Sequence, residues 1–432
     1  MPTSIKSLID GNPLSRMQYA TLFICFLMNI LDGMDVLVIS YTAPAIAQSW
    51  NVGPEALGIV FSAGLIGMTV GALFLAPFAD HMGRKKMIII SSAIMGLSIF
   101  LTSYASSVFS LIVFRLLSGV GIGSMLASTA SLAAEYTPHR TKDFWVSFVI
   151  SGYPVGAVLS GLVAAKVITQ YGWPQMFQLA GIASLITIPL IFIFLSESIE
   201  FYLKKQPKLA LDKVNGLLAR MGFNHLQTLP QLPPQKKGLP VKSLLKDEYR
   251  IPTIQLWVAL FLAFATLYFL TSWIPKLASN AGLSLELSIY AGTIFNFGAF
   301  FGIITQGYFS SRYGSKKTIG IFFIFTAILM AIFGLFLGSD TLLIIFGLLG
   351  FGIQGGFVGL YAVSARMYPT EFRTTGVGWS IGIGRLGGII GPAAGGILIG
   401  MGLTMVQNFR IYSVPTLLAG IMTLYISSKE IR

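Results

Sequence analysis

Apolar positions along this chain come in long unbroken runs, with neither strict alternation nor a one-sided helical stripe. Twelve runs cover residues 18–46, 56–79, 87–105, 109–134, 143–168, 174–195, 252–275, 285–310, 317–337, 341–365, 375–400 and 409–428. Each is near or above the roughly 20 residues that carry a helix across a bilayer core. Barrel strands would show about 10 residues of alternating pattern instead. The first run is too long for a signal peptide, continues to Trp50 and shows no small-residue cleavage site, so it reads as a span. The one long polar stretch, 196–251, holds Pro207, Pro230, Pro233, Pro234 and Pro240. The expected organisation is an N-terminal six-helix half over 1–195, a central cytoplasmic loop over 196–251 and a C-terminal six-helix half over 252–432. The expected fold is an all-α membrane protein of twelve transmembrane helices, its halves related by pseudo-two-fold symmetry.

A shift of 231 residues lays one half on the other. Gly67 then falls on Gly298, Gly71 on Gly302, Gly83 on Gly314, and Lys85 and Lys86 on Lys316 and Lys317. Gly119 and Gly121 fall on Gly350 and Gly352, Pro138 on Pro369, and Gly156 on Gly387. Internal duplication of a six-span unit marks secondary transporters, whose substrate site lies near mid-membrane at the repeat interface. The small-xxx-small pairs Gly67/Gly71 and Gly298/Gly302 suit close helix packing.

Composition narrows the class. Apolar residues make up 54% and charged residues 10%, against about 25% charged in a soluble chain. With a mean hydropathy of +0.77, this excludes an ordinary soluble globule and a disordered chain. A net charge of +13 could suggest nucleic acid, but that needs a clustered basic face. Here 24 of the 29 basic residues fall in the N-terminal segment, alternate loops, the central loop and the C-terminus. Only Lys166, Lys276 and Arg410 fall at the opposite ends of the spans. The positive-inside rule then puts both termini and the central loop in the cytoplasm, with no nucleic-acid partner. The lone Cys25 allows no disulfide framework or cysteine metal site, and His81, His139 and His225 all lie in polar segments. No cofactor and no metal are implied.

Four ionisable residues sit well inside spans: Asp32, Asp35, Arg115 and Arg385. Each costs about 2.5–3.5 kcal/mol at a helix centre unless paired or wet. Asp32 and Asp35 are three apart and share a helix face. Two acids on one apolar face repel, and with no intramembrane histidine they are the candidate proton carriers. Glu135, at the inner end of span 4, and Arg115, about two turns in from its outer end, are further proton-coupling candidates, Arg115 because the motif it opens resembles one of a transporter family. For Arg115 a static buried pair is the alternative, and for Glu135 an ion pair with Arg84 or Arg140. Arg385 is the candidate for a substrate carboxylate, since a guanidinium forms a bidentate fork and stacks on rings. Its neighbours Gly382, Gly384, Gly387 and Gly388 are expected to leave room for a ligand. The remaining candidate lining, chosen by depth, is Tyr153, Tyr268, Trp273, Phe295, Asn296, Gln354, Tyr361 and Trp379.

Several motifs resemble the major facilitator superfamily. Gly71–Lys86, GALFLAPFADHMGRKK, resembles its loop 2–3 signature, with Ala76 where the family has Gly and His81 where it has Arg. Arg115–Gly123, RLLSGVGIG, is similar to the fourth-helix motif, Ser196–Leu203, SESIEFYL, to the signature after helix 6, and Pro369–Thr375, PTEFRTT, to that of loop 10–11. Asp32-Gly33-Met34-Asp35 is similar to the D-G-x-D mark of the aromatic acid:proton symporter family. The drug-antiporter signature is missing from span 5, which reads SGYPVGAVLSG; a similar string, GGIIGPAAGG, sits in span 11. The resemblance implies a charge latch at loop 2–3 (Asp80, Gly83, Arg84) and its counterpart at loop 10–11 (Arg366, Glu371, Arg373).

The chain therefore reads as a bacterial inner-membrane symporter, not an enzyme, that takes up an aromatic or related carboxylate with protons. Its partners are a small organic anion, protons and the lipid bilayer, and the expected working unit is a monomer. The rivals are a symporter of another solute (a non-aromatic carboxylate, a nicotinate-like or sugar-like solute, or a cation) and a proton/drug antiporter.

Overall fold

The computed structural model describes residues 5–229, 244–246, 249–339, 341–368 and 373–426. Among these residues twelve long helices follow one another: α1 Arg16–Trp50, α2 Pro54–Met82, α3 Arg84–Thr102, α4 Val108–Glu135, α5 Phe144–Tyr171, α6 Trp173–Phe194, α7 Arg250–Asn280, α8 Leu285–Tyr313, α9 Ser315–Ala331, α10 Leu342–Met367, α11 Arg373–Gly400 and α12 Met405–Leu424. Ten are long and apolar enough to cross a membrane by those measures alone. The other two are α9, of 17 residues, and α12, of 20, which carries Gln407, Asn408 and Arg410. No strand occurs among the described residues. Helix starts follow local chemistry. Ser107 and Ser110 form a reciprocal cap on α4, and Thr404 and Gln407 do the same on α12. Gly83 and Gly314, at φ of 99° and 91°, turn the chain tightly between α2 and α3 and between α8 and α9.

The chain divides into two compact units. One holds the chain up to Asp35, then Ile66–Gly156, then the stretch from Phe177 into the central loop. The other holds Val36–Leu65, Ala157–Met176 and the chain beyond that loop. Helix α1 passes from one unit to the other at Asp35.

The duplication recurs in the contacts within each unit. The Cα of Gly67 lies against the carbonyl of Leu116, and that of Gly298 against the carbonyl of Gly347. Gly71 meets the Val120 carbonyl and Gly302 that of Phe351; Gly156 meets Ile30 and Gly387 meets Phe261. In all three pairs both partners are related by the same 231 residues. Thus α2 packs on α4 as α8 does on α10, and α1 on α5 as α7 does on α11. Backbone takes the space that a side chain would need, which is how small residues hold helices together where the hydrophobic effect cannot. Lysines repeat as well. Lys85 Nζ donates to the Phe192 carbonyl at 2.7 Å, and Lys316 Nζ to the Ile426 carbonyl at 2.9 Å.

Candidate functional site

The intramembrane charges separate into two groups. In the first unit, Arg115 Nη1 of α4 meets Asp35 Oδ1 of α1 at 2.8 Å, and Nη2 reaches the Asp35 carbonyl at 3.3 Å. Asp35 is 0% and Arg115 3% exposed. Asp32, one turn earlier, is also buried. Gly33 between the two acids allows α5 to approach, and the Tyr153 carbonyl occupies the place of its missing side chain. A turn before Asp32, Asn29 Nδ2 donates to the Cys25 carbonyl at 2.9 Å and reaches Thr129 Oγ1 of α4 at 3.4 Å. The polar face of α1 therefore runs through Asn29, Asp32 and Asp35, a turn longer than the two acids suggest. Nε of Arg115 is buried without a hydrogen bond. A purely structural ion pair normally satisfies every donor, because unfilled donors are costly in a low dielectric. This pair is close but incompletely satisfied.

In the second unit, four rings from two helices pack together. Phe264 of α7 stacks on Tyr268 at 5.9 Å, meets Phe357 of α10 edge-on at 4.7 Å and lies 6.4 Å from Tyr361; Phe357 and Tyr361 are 5.4 Å apart. Arg385 of α11 is half-buried and close enough to Tyr361 to interact electrostatically. Within its own unit Arg385 has no acidic partner among the described residues. The structure thus groups Arg385, Tyr268 and Tyr361, and it adds Phe264 and Phe357. Their spacing, four residues apart from each tyrosine, was the sequence signal for these two.

The glycines beside Arg385 do a different job from the one expected. Phe264 fills the space at Gly384, Tyr268 that at Gly388, and the Phe261 carbonyl that at Gly387. Only Gly382, with Gly378 a turn before it, faces open space. These glycines seat α11 on the rings of α7, so the open side of α11 is narrower than the count of glycines implies.

The other candidate lining residues are dispersed. Trp273 is fully buried, donates its indole N–H to the Pro392 carbonyl at 2.9 Å and packs edge-on to Phe61. Phe295 is buried with its carbonyl against Gly350, and Asn296 Nδ2 bonds back to Gly292 at 2.9 Å in its own helix. Trp379 is 45% exposed and stacks on Trp257 at 6.2 Å. Tyr153 lies in the first unit, on α5 against α1. Gln354 is 9% exposed on α10, and its Oε1 has no hydrogen-bond partner.

Where α2 turns into α3, Arg84 Nη2 binds Glu135 Oε1 at 2.6 Å, and Ser198 Oγ donates to the other Glu135 oxygen. Glu197 Oε1 accepts from the Lys85 amide at 3.0 Å and the Ser198 amide at 2.9 Å, its carboxylate lying against Gly83. The Tyr136 hydroxyl donates to the Glu197 carbonyl at 2.5 Å; burial holds that phenol well above its ordinary pKa, so it stays a donor. Glu135 is therefore tied into this cluster. Glu197 was not among the sequence candidates, although it sits in the SESIEFYL motif. Asp80 is exposed. In the second unit the counterpart of Arg84–Glu135 is Ser315–Arg366, with Arg366 Nη1 donating to Ser315 Oγ at 3.3 Å. Glu371 and the Arg373 side chain lie outside the described residues. No group of three or more His, Cys, Asp or Glu side chains able to hold a metal occurs among the described residues.

A family model described as Major Facilitator Superfamily matches residues 25–306 and 256–431. The chain belongs to that superfamily. It is 33% identical over 421 residues to a 4-hydroxybenzoate transporter of Pseudomonas putida, covering 96% of this chain and 94% of that one. It is 31% identical to a gallate transporter of Pseudomonas putida, covering 98% and 95%. The fold is shared with the inward-open xylose transporter of E. coli, with a TM-score of 0.70 at 15% identity over 95% of this chain and 96% of that one. The protein is accordingly a multi-span membrane transporter of the major facilitator fold, and not an enzyme.

Proposed function

We propose that the protein imports an aromatic carboxylate across the bacterial inner membrane together with protons. The observation that carries this reading is Arg385 set beside a four-ring cluster, with no acid of its own unit paired to it among the described residues. A guanidinium of this kind takes a carboxylate in bidentate fashion, and clustered rings receive an aromatic ring by offset or edge contacts. The relatives' named substrates, 4-hydroxybenzoate and gallate, have this chemistry.

Asp35 and Asp32 serve as the proton carriers and Arg115 as the partner that Asp35 leaves on protonation. A neutral Asp35 no longer attracts the guanidinium, so the tie between α1 and α4 loosens with each proton taken up. Arg84 and Glu135, with Gly83 at the turn, form a latch, and Ser315–Arg366 is its weaker counterpart. Asp80 belongs to the same loop, and Glu371 and Arg373 to the matching loop of the second half. The charge bias of the loops supports cytoplasmic termini. The protein works as a monomer in this reading.

Reconstitution into liposomes tests it. With an acid exterior, radiolabelled 4-hydroxybenzoate accumulates inside and an uncoupler abolishes the accumulation. Loss of preloaded substrate driven by inward proton flow, or no movement at all, contradicts the proposal.

A further inference from the structure

Among the described residues of the second unit, several carry a buried polar side-chain atom that makes no hydrogen bond, and Gln354 is one of them. Gln354 is nine-tenths buried in α10, and its Oε1 makes no hydrogen bond. A buried amide oxygen without a partner costs about 1–3 kcal/mol. Its position on the helix is informative. Gln354, Phe357 and Tyr361 stand at i, i+3 and i+7 and share one face of α10. That face carries the two rings that meet Phe264 of α7. The glycines on the faces of α10 turned to α9 are packed, Gly352 against Thr326, Gly355 against Phe322 and Gly356 against Phe323, and Gly350, a turn before Gln354 on its own face, abuts the Phe295 carbonyl of α8. The unpartnered amide therefore stands on the face of α10 that bears the ring cluster, not on the faces turned to α9.

We infer that Gln354 binds a ring hydroxyl of the substrate and makes the protein selective for hydroxylated over unsubstituted aromatic acids. The inference rests on the proposed carboxylate site and extends it to a second anchor. Tyr361, which neighbours Arg385, and Gln354 are seven residues apart, about 10 Å along the helix at 1.5 Å per residue. A single ring with its acid group at one end and a hydroxyl at the other bridges such a span. The phenol O–H donates to Oε1 of Gln354, and the amide N–H₂ can donate back to a second oxygen on a vicinal diol or triol ring. Benzoate leaves the amide oxygen as it stands, unfilled in a dry pocket. A site that presents a buried hydrogen-bonding group discriminates strongly against the analogue that lacks the complementary group. A methoxy substituent at the same ring position cannot donate and also fails.

The experiment compares binding of benzoate, 4-hydroxybenzoate and 4-methoxybenzoate to purified protein, wild type, Gln354→Leu and Gln354→Met. The readout is the ratio of the 4-hydroxybenzoate to the benzoate affinity, in which any loss common to both acids cancels. Thermal unfolding in detergent establishes that each variant is folded, and the near-isosteric Gln354→Met stands in if the leucine variant is not. The wild type is expected to favour 4-hydroxybenzoate over both other acids by about tenfold, the worth of one buried hydrogen bond. In either variant the ratio is expected to fall to within about twofold of unity. A wild-type ratio near one, or a ratio that survives in both folded variants, overturns the assignment of Gln354 while leaving the carboxylate site standing. Failure of all three acids to bind the wild type removes the carboxylate site itself, and this inference with it.

Discussion

Asp35 and Arg115 are the residues on which the proposed proton coupling rests. Their 2.8 Å contact is fully buried, and the guanidinium keeps one unfilled donor. Protonating the acid removes the attraction without moving any other atom first. Asp35→Asn copies the protonated state permanently. The variant should bind substrate and exchange it across the membrane, yet fail to concentrate it: the accumulation ratio under an imposed proton gradient falls to about one, the value set by equilibration alone. Accumulation at the wild-type level in Asp35→Asn shows that the proton travels elsewhere. Arg115→Ala should be the more damaging change to the fold. It strands a buried carboxylate without its counter-ion, a loss of about 3–5 kcal/mol, read as a large drop in detergent unfolding temperature. Restoring neutrality with the double change Asp35→Asn/Arg115→Ala should recover part of that drop.

At the scale of helices, the packing contacts follow the repeat and the proposed site residues depart from it. Asp35, Arg115 and Arg385 correspond to Thr266, Phe346 and Pro154 in the other half, so none of the three has a charged counterpart. The packing glycines do have counterparts, with the same carbonyl neighbours. A side chain at Gly298 must displace the Gly347 carbonyl, whereas one at Gly307 on the same helix meets nothing within 4 Å. Gly298→Leu is expected to cost about 3 kcal/mol or more by overpacking, and Gly307→Ala to be neutral or slightly stabilising; unfolding temperatures of the two variants check this. The contrast also explains what was readable in the chain. Run length and the 231-residue offset carried the twelve helices and their repeat, because backbone satisfaction in lipid leaves little choice of structure. The Arg115 partner was not readable, since pairing across 80 residues leaves no local trace, and the four-residue spacing of Phe264 and Phe357 from the two tyrosines was a faint signal, because phenylalanine in a span is commonplace. Glycines near Arg385 misled in the opposite direction: a missing side chain marks either a cavity or a close neighbour, and sequence does not distinguish them.

Across the molecule, the two proposed latches are unequal. Arg84–Glu135 is a 2.6 Å ion pair with Ser198 as a third member, while Ser315–Arg366 is a single 3.3 Å hydrogen bond. Removing Arg84 or Glu135 should lower turnover more than substrate affinity. The two losses should not add, since both abolish one interaction, and a double-mutant cycle on transport rates should show coupling of about 1 kcal/mol. Additive losses make the cluster mere anchoring. The claim on which the rest depends is that the substrate carboxylate sits on Arg385 and that its binding favours protonation, as linkage requires of a symporter. Arg385→Lys keeps the charge but loses the planar fork, so it should weaken binding even so. The decisive measurement is the affinity of the purified protein for 4-hydroxybenzoate at acid and at neutral pH, in the wild type and in Arg385→Ala. The account predicts tighter binding at acid pH in the wild type, and loss of both the affinity and its pH dependence in the variant. Wild-type affinity in Arg385→Ala, or wild-type binding that ignores pH, contradicts it.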